Sequence, residues 1–167
     1  EEQKLLEEMG LDISFALDTM QLEIERSHTV DALRKSEKKY SVLFEKAAIP
    51  ASLSKLPEVT FVDVNEAFEK MLGYDKEEVI GKTSLELGIA RPEEHKRTVA
   101  EVEKKGSDIN AEKTIFTKSG EARIITANVN LVEIGDQQYA LTTLQDITER
   151  KQAERHLLES EERFHKA

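Results

Sequence analysis

The chain has 167 residues, with 34 acidic and 24 basic side chains, and its formal net charge is −10 at pH 7. That length fits one domain of about 100 to 120 residues with flanking segments, and the charge disfavours a nucleic-acid partner or direct contact with an anionic membrane. The chain has no cysteine, which excludes disulfides and thiolate metal sites, and no apolar run approaches the ~20 residues of a membrane-spanning helix.

The N-terminal segment is predicted to be helical and carries two apolar seams of different phase. The change of phase near Ser27 is a stammer, which locally overwinds a coiled coil, before a second seam begins at Val30. We therefore assign residues 1–28 and 29–47 to two helices, with one ordinary amphipathic helix as the alternative. Spacings of four and three residues, typical of paired helices, connect the members of the first seam: Ile13, Leu17, Met20 and Ile24.

Two short strands and a capped helix are predicted next. Residues 51–56 and 59–64 have strand composition. Asn65 favours a helix start, because its side-chain oxygen can accept a backbone N–H that has no partner within the helix. Gly73 then favours the end of that helix.

Two further helices have recognisable signals at their ends. Asp75 and Glu78 have the spacing of a capping box, which predicts a second short helix. Residues 92–105 begin with acidic and end with basic side chains, an order that complements the helix dipole, and Gly106 follows them. His95 stands in this helix among charged neighbours, a pattern typical of a solvated first turn.

The C-terminal part of the core is predicted to be a three-stranded meander over residues 109–118, 122–134 and 137–145. In the middle strand, Ile125 and its alternate neighbours share one apolar face. Together with the two earlier strands, the pattern predicts an α+β fold: a five-stranded antiparallel sheet of order 2-1-5-4-3 with helices on one face. From Asp146 onward the chain is predicted to be helical again.

Several segments between residues 36 and 151 resemble those of PAS domains in prokaryotic sensory signalling proteins. Each segment is weak alone, but their order and spacing are specific. The resemblance implies the PAS fold over residues 48–148, flanked by long N- and C-terminal helices, in a parent protein that is a sensor histidine kinase. The matching segments are Phe44–Pro50, Phe61–Phe68, Leu72–Tyr74, Glu77–Gly81, Lys118–Glu121 and Asp146–Lys151.

The flanks resemble parts of other modules. Residues 5–17 are similar to the last helix of a GAF domain, so we assign residues 1–28 to an upstream GAF-like domain and residues 29–47 to a linker helix. The motif of Leu33–Tyr40 returns at Leu157–Phe164, which indicates tandem modules. Residues 149–167 are therefore expected to form an exit signalling helix or the start of a following PAS domain.

In the family that this chain resembles, the exit motif transmits the signal. Asp146 lies four residues before Arg150, a spacing at which a carboxylate can pair with a guanidinium across one helical turn. Thr148 can form a hydrogen bond in the same corner. We expect these three residues to couple the last strand to the exit helix; the alternative is a cap that only fixes the exit angle.

PAS cores often enclose a ligand pocket, and the resemblance implies its lining. The alternative is an ordinary packed core, and for Asn65 the capping role alone is sufficient. The chain lacks tryptophan and cysteine and has few aromatic side chains, so we predict no flavin, and the charged surroundings of His95 disfavour haem ligation. The expected lining residues are Asn65, Phe68, Leu72, Ile80, Leu87, Val99 and Ile125.

We therefore expect a cytoplasmic, non-catalytic sensor or relay domain. It is predicted to act as a parallel homodimer through its flanking helices, with the GAF, PAS and kinase domains of the same chain as neighbours and an unidentified small molecule as a candidate ligand. Two alternatives stay open, a haem or flavin receptor and a purely structural dimerisation spacer.

Overall fold

The computed structural model describes residues 2–165, including the side chains of residue 2 and residues 9–160. The end of the predicted 149–167 segment and the side chain of Phe164 in the repeated motif lie outside the described residues. The chain divides after Leu43 into two compact units. Within the part of the chain described, no helix is both long and apolar enough to cross a membrane.

The N-terminal unit consists of one long helix. Helix α1 spans Glu2–Glu45, and its length is consistent with a sequence that holds a single glycine and no proline over this range. It passes through residue 28 without a break, so the change of seam phase near Ser27 does not end the helix. Whether residues 1–28 belong to a separate upstream domain stays a prediction.

The second unit is built on a five-stranded antiparallel sheet. Its order is β2-β1-β5-β4-β3, which confirms the predicted order. The third strand ends two residues earlier than predicted because Thr117 begins the turn, where its carbonyl accepts a hydrogen bond from Gly120 N–H at 2.9 Å. The strands are β1 Ala51–Lys55, β2 Thr60–Val64, β3 Ser107–Phe116, β4 Ala122–Ile134 and β5 Gln137–Asp146.

Four helices accompany the sheet, and three have ends predicted by the sequence. Gly73 and Gly106 end the first and third helices in the left-handed conformation, with φ of 76° and 74°, which glycine adopts without steric cost. Glu78 Oε2 accepts a hydrogen bond from Asp75 N–H at 3.0 Å, as one half of a capping box does. The helices are α2 Glu66–Leu72, α3 Lys76–Val79, α4 Pro92–Lys105 and α5 Thr148–His165.

The main core lies between the inner face of the sheet and helices α2 and α3. In β4, Ile125, Ala127 and Val129 are buried while their alternate neighbours are not, which confirms the predicted inner face. The rings of Phe61 and Phe68 meet edge to face with centroids 5.7 Å apart, an arrangement that aromatic pairs favour. The residues of this core are Phe61, Val64, Phe68, Leu72, Val79, Ile89, Ile115, Ile125, Ala127 and Leu144.

Phe68→Ala tests the importance of the α2 face. The side chain is 2% exposed, so its removal leaves a cavity in the core, and we expect a loss of about 3–5 kcal/mol in the free energy of unfolding. Urea denaturation followed by circular dichroism measures this value. Ile134→Ala, at an exposed position at the end of β4, is the control and should change stability by less than about 0.5 kcal/mol. Equal losses in both variants would contradict the assignment.

Candidate functional site

A cavity of about 130 Å³ lies between the inner face of the sheet and helix α4. Most of its wall is apolar, and strands β1, β3, β4 and β5 and the N-terminal half of α4 all contribute. Its apolar lining includes Val59, Phe61, Phe68, Ile89, Val99, Ile115, Ile125, Ala127, Val129, Ala140 and Leu144.

The sheet side of the cavity carries a row of hydroxyl groups. Ser52 and Ser54 stand on β1 and are 2% and 3% exposed. Thr142 on β5 lines the same cavity and is the register partner of Ser52. Directly opposite residues of adjacent strands have Cβ atoms about 4.5–5.5 Å apart, so the Ser52 and Thr142 side chains are close neighbours on one face.

The β3 part of the same sheet wall carries a buried ion pair that reaches across to α4. Lys113 stands on the inner face of β3, and its side chain is 9% exposed. Its ammonium group donates to Asp108 Oδ2 at 2.7 Å and to Thr98 Oγ1 on α4 at 2.6 Å. The charge of Lys113 is therefore balanced within the wall, as a buried charge requires.

His95 lies on the opposite wall, which α4 forms, and is half-buried, so the predicted solvated first turn is wrong at this position. The reason is packing, because the start of α4 lies against the segment that contains Ser84. Ser84 Oγ is 3.3 Å from His95 Nδ1. Burial lowers the pKa of His95 below its usual value, which favours the neutral imidazole at pH 7.

Three of the seven predicted pocket residues line the cavity: Phe68, Val99 and Ile125. Leu72 is completely buried in the core beside it, and Leu87 packs against that core. Ile80 is 38% exposed. Helix α3 ends at Val79, and the extended backbone of Ile80 turns its side chain outward, so Val79 takes the buried position instead.

Asn65, the remaining predicted pocket residue, is completely buried and serves the fold. Its Oδ1 atom accepts hydrogen bonds from Phe68 N–H at 3.0 Å and from Ala51 N–H at 2.9 Å. Its Nδ2 atom donates to the carbonyl of Ile49 at 2.9 Å. The predicted helix cap is confirmed, and the same amide also holds the start of β1 and the segment that precedes it.

The cavity is small for haem or flavin. Pockets for ligands of that size class have volumes of about 300–1,000 Å³, whereas this cavity has about 130 Å³. Among the side chains described, no group of three or more His, Asp or Glu residues is arranged to hold a metal ion. The dimensions favour a much smaller molecule.

The second candidate site is the corner where β5 leads into α5. Asp146 Oδ2 accepts a hydrogen bond from Arg123 Nη1 of β4 at 2.8 Å, and its Oδ1 accepts one from Thr148 N–H at 2.9 Å. The predicted pair of Asp146 with Arg150 is wrong, since Arg150 instead faces Glu154 within α5 at 3.7 Å. Asp146 is still in the strand, so its carboxylate points toward the neighbouring strand and not along the helix.

Desolvation and hydrogen bonding act in opposite directions on Asp146. Burial by itself would raise the pKa of this carboxyl, but hydrogen bonds from Thr148 and Arg123 outweigh that effect and lower the pKa below its usual value. Asp146 is therefore ionised at neutral pH, and the corner holds a charge-assisted pair.

Thr148 and Lys151 connect the first turn of α5 to the sheet. The Thr148 hydroxyl accepts from Ile124 N–H at 2.9 Å and donates to the Ile124 carbonyl at 3.3 Å. Lys151 Nζ lies 2.9 Å from Glu112 Oε1 on β3. The exit helix is thus tied to both β3 and β4, and the predicted hydrogen bond of Thr148 in this corner is present.

Sequence reasoning missed Arg123 and the polar wall of the cavity. Arg123 could have been found from strand register, because Ile125 pairs with Asp146 and the residue two positions earlier on β4 then lies diagonal to that carboxylate. For Lys113 and Ser52 no sequence signal marks burial, since isolated polar residues in strands are usually exposed.

Comparisons with known proteins agree with this architecture. The family model of the PAS domain matches residues 50–149. The methyl sulfide methyltransferase-associated sensor of Methanosarcina acetivorans is 27% identical over 135 residues, or 78% of this chain, and the chain spans 13% of that protein. A PAS domain from a two-component sensor histidine kinase superposes with a TM-score of 0.58 at 16% identity, covering 68% of this chain and 98% of that one. An RNA-binding light-oxygen-voltage receptor gives a TM-score of 0.64 at 19% identity, covering 75% and 37%.

Asn65→Ala tests the buried amide. The substitution removes a helix cap and leaves the Ala51 N–H and the Ile49 carbonyl without this partner, so we expect a loss of about 2–4 kcal/mol in the free energy of unfolding. Urea denaturation measures the loss. Asn130→Ala, an exposed asparagine on β4, should cost less than about 0.5 kcal/mol; a similarly small effect at Asn65 would show that the amide does not organise the fold.

Proposed function

This chain belongs to the PAS domain family, and on that premise we propose that it is a non-catalytic sensor and relay domain. In this proposal a change in the cavity alters the sheet, and the sheet alters the direction or stability of the exit helix α5. The signalling step requires no chemistry, only two packing arrangements of similar free energy at the corner between sheet and helix.

One observation carries the proposal: the cavity and the exit corner share a single strand. Ile125 lines the cavity and is the register partner of Asp146. The residue before it, Ile124, holds Thr148 through both its N–H and its carbonyl. A bound molecule that displaces Ile125 therefore acts one residue away from the hydrogen bonds that hold α5.

The ion pair in the exit corner is weak enough for a switch. Both side chains of the Arg123–Asp146 pair are partly exposed, so the ion pair contributes at most about 1 kcal/mol to folding. Such a contact can be exchanged without unfolding the domain. The proposed transmission site is therefore Asp146 with Thr148 and Arg123. The sequence predicts Arg150 in this site, but Arg150 is not part of it.

A second set of ion pairs lies within the second unit, at Glu45 and Lys46 near its start. Lys46 Nζ lies 2.9 Å from Glu66 Oε2 at the start of α2. Hydrogen bonds from Lys70 and Lys46 lower the pKa of Glu66 to about 2, so its carboxylate stays charged at physiological pH. Lys76 lies between Asp63 and Glu45, with the Glu45 carboxylate 3.6 Å away. Both flanking helices therefore have polar contacts through which a signal can enter or leave.

We further propose that α1 mediates a parallel homodimer. Its first seam lies on one side of the helix, and Leu11, Phe15 and Leu22 lie on the opposite side by helical periodicity. Two apolar stripes would suit a helix with neighbours on two sides, a second copy on one and an upstream GAF-like domain on the other. The seam residues are more than half exposed: Ile13 57%, Leu17 60%, Met20 61% and Ile24 54%.

The output is proposed to be a histidine kinase in the cytoplasm. Two comparisons support this: one similar structure comes from a sensor histidine kinase, and the similar protein from M. acetivorans is described as a sensor. A purely structural spacer is less favoured, because a spacer has no use for a cavity lined with buried hydroxyl groups.

Asp146→Ala tests the relay. We expect the domain to stay folded, with a loss of about 1 kcal/mol or less, while hydrogen exchange of the amides at the start of α5 becomes at least about fivefold faster. In a fusion that continues α5 into a histidine-kinase output module, autophosphorylation should change by a comparable factor.

Two variants provide the controls for this test. Arg150→Ala removes only the contact with Glu154 and should leave both measurements unchanged. The exchanged pair Asp146→Arg with Arg123→Asp should partly restore the wild-type values, because opposite charges again face each other. A folded Asp146→Ala protein with wild-type exchange and output would show that the corner is only a cap.

Analytical ultracentrifugation tests the dimer. Leu17→Glu combined with Met20→Glu places four charges in the proposed seam of the dimer, and we expect the dissociation constant to rise by more than about a hundredfold. Gln21→Glu lies off the seam and should leave the dissociation constant nearly unchanged. If the wild-type chain is monomeric at high micromolar concentration, this proposal is wrong, and the relay within one domain is unaffected.

A further inference from the structure

We propose that the cavity takes a compact, uncharged molecule of about the size of benzene that presents one hydrogen-bonding group to Ser52, Ser54 and Thr142. This inference rests on the proposed sensor function and specifies the chemical class of its ligand. Three observations carry it: the state of the buried hydroxyl groups, the balance of charge around the cavity and the cavity volume.

The hydroxyl groups on the sheet side of the cavity are available for hydrogen bonding. Among the hydrogen bonds of the described side chains, none involves the hydroxyl of Ser52, Ser54 or Thr142. The two serines are nevertheless almost fully buried and line the cavity. Neither serine has a polar atom that is both fully enclosed and without a partner, so their hydroxyl groups face the cavity space, where a molecule with a hydrogen-bonding group can bond to them.

The charges around the cavity are already balanced, which disfavours an ionic ligand. Lys113 pairs with Asp108, and Glu94 pairs with Arg97 at 2.9 Å. His95 is favoured in its neutral form because burial lowers its pKa. An anion or a cation would lose its hydration and find no unpaired countercharge in the wall.

The size and polarity of the cavity restrict the ligand further. An engineered cavity of about 150 Å³ lined with aliphatic and aromatic side chains is known to hold benzene, and this cavity has about 130 Å³. Phe68, Val99 and Ile125 line the same cavity as the hydroxyl groups. The matching molecule therefore has a small apolar body with a hydroxyl or carbonyl group at one end.

Phenol, benzene and benzoate are suitable probes, because they share a ring and differ in hydrogen bonding or in charge. Titration of the full chain, followed by NMR of the Ile125 side-chain methyl groups, gives both the location and the dissociation constant. We expect phenol to bind about three- to tenfold more tightly than benzene, and benzoate to bind more weakly than either.

Two variants test whether the hydroxyl groups cause the preference for phenol over benzene. Ser52→Ala and Ser54→Ala combined with Thr142→Val remove all three hydroxyl groups and should make phenol and benzene bind equally, with little change in benzene affinity. Thr126→Val, on the opposite face of β4 beside Ile125, should keep the preference for phenol.

The proposal is overturned if the wild-type chain binds phenol and benzene equally, if benzoate binds most tightly, or if no probe shifts the Ile125 signals, since a water-filled or simply packed cavity gives the last result. These outcomes leave the relay standing, because the Asp146→Ala experiment requires no ligand.

Discussion

The hydrogen bonds of Asn65 are the interaction on which the rest of the domain depends. One buried amide joins the segment after α1, the first residue of β1 and the first turn of α2. Because an amide is both donor and acceptor in a fixed plane, these segments are held in mutually compatible orientations. The orientation of α2 then directs Phe68 toward the sheet, where it closes one side of the cavity. Asn65 thus shapes the cavity although it does not line it.

One strand of the sheet contributes to both candidate sites, and it does so through opposite properties. On its inner side, β4 contributes Ile125 to the cavity, where packing is close and apolar. At the same end, Arg123 and Ile124 hold the exit corner through polar bonds. Close packing transmits small displacements because interiors are nearly incompressible, whereas a partly exposed ion pair can be exchanged at low cost. In the proposed relay, the stiff strand β4 ends in a weak ion pair, and ligand binding in the cavity would thereby change the direction of α5.

The order of elements could be read from sequence because it depends on local patterns: alternation in strands, charge order along α4 and the cap at Asn65. Side-chain positions that depend on tertiary contacts could not. The resemblance to PAS domains implies that Ile80 lines the pocket, yet α3 ends at Val79 and the side chain of Ile80 points outward. Asp146 was expected to pair with Arg150 because helical spacing is visible in sequence. The actual pair with Arg123 depends on strand register, a relation between two strands that residue spacing along one helix does not show.

The two edges of the sheet have a consequence for self-association. The edge of β2 is covered by the chain after α3, where Gly81 N–H donates to the Phe61 carbonyl at 2.8 Å. The edge strand β3 has a register shift between Asp108 and Ala111 and an exposed Glu112. Covered, bulged or charged edges are the features by which natural sheets avoid edge-to-edge pairing and aggregation. If several modules of this kind stand in one chain at high local concentration, each sheet can fold beside its neighbours without strand exchange.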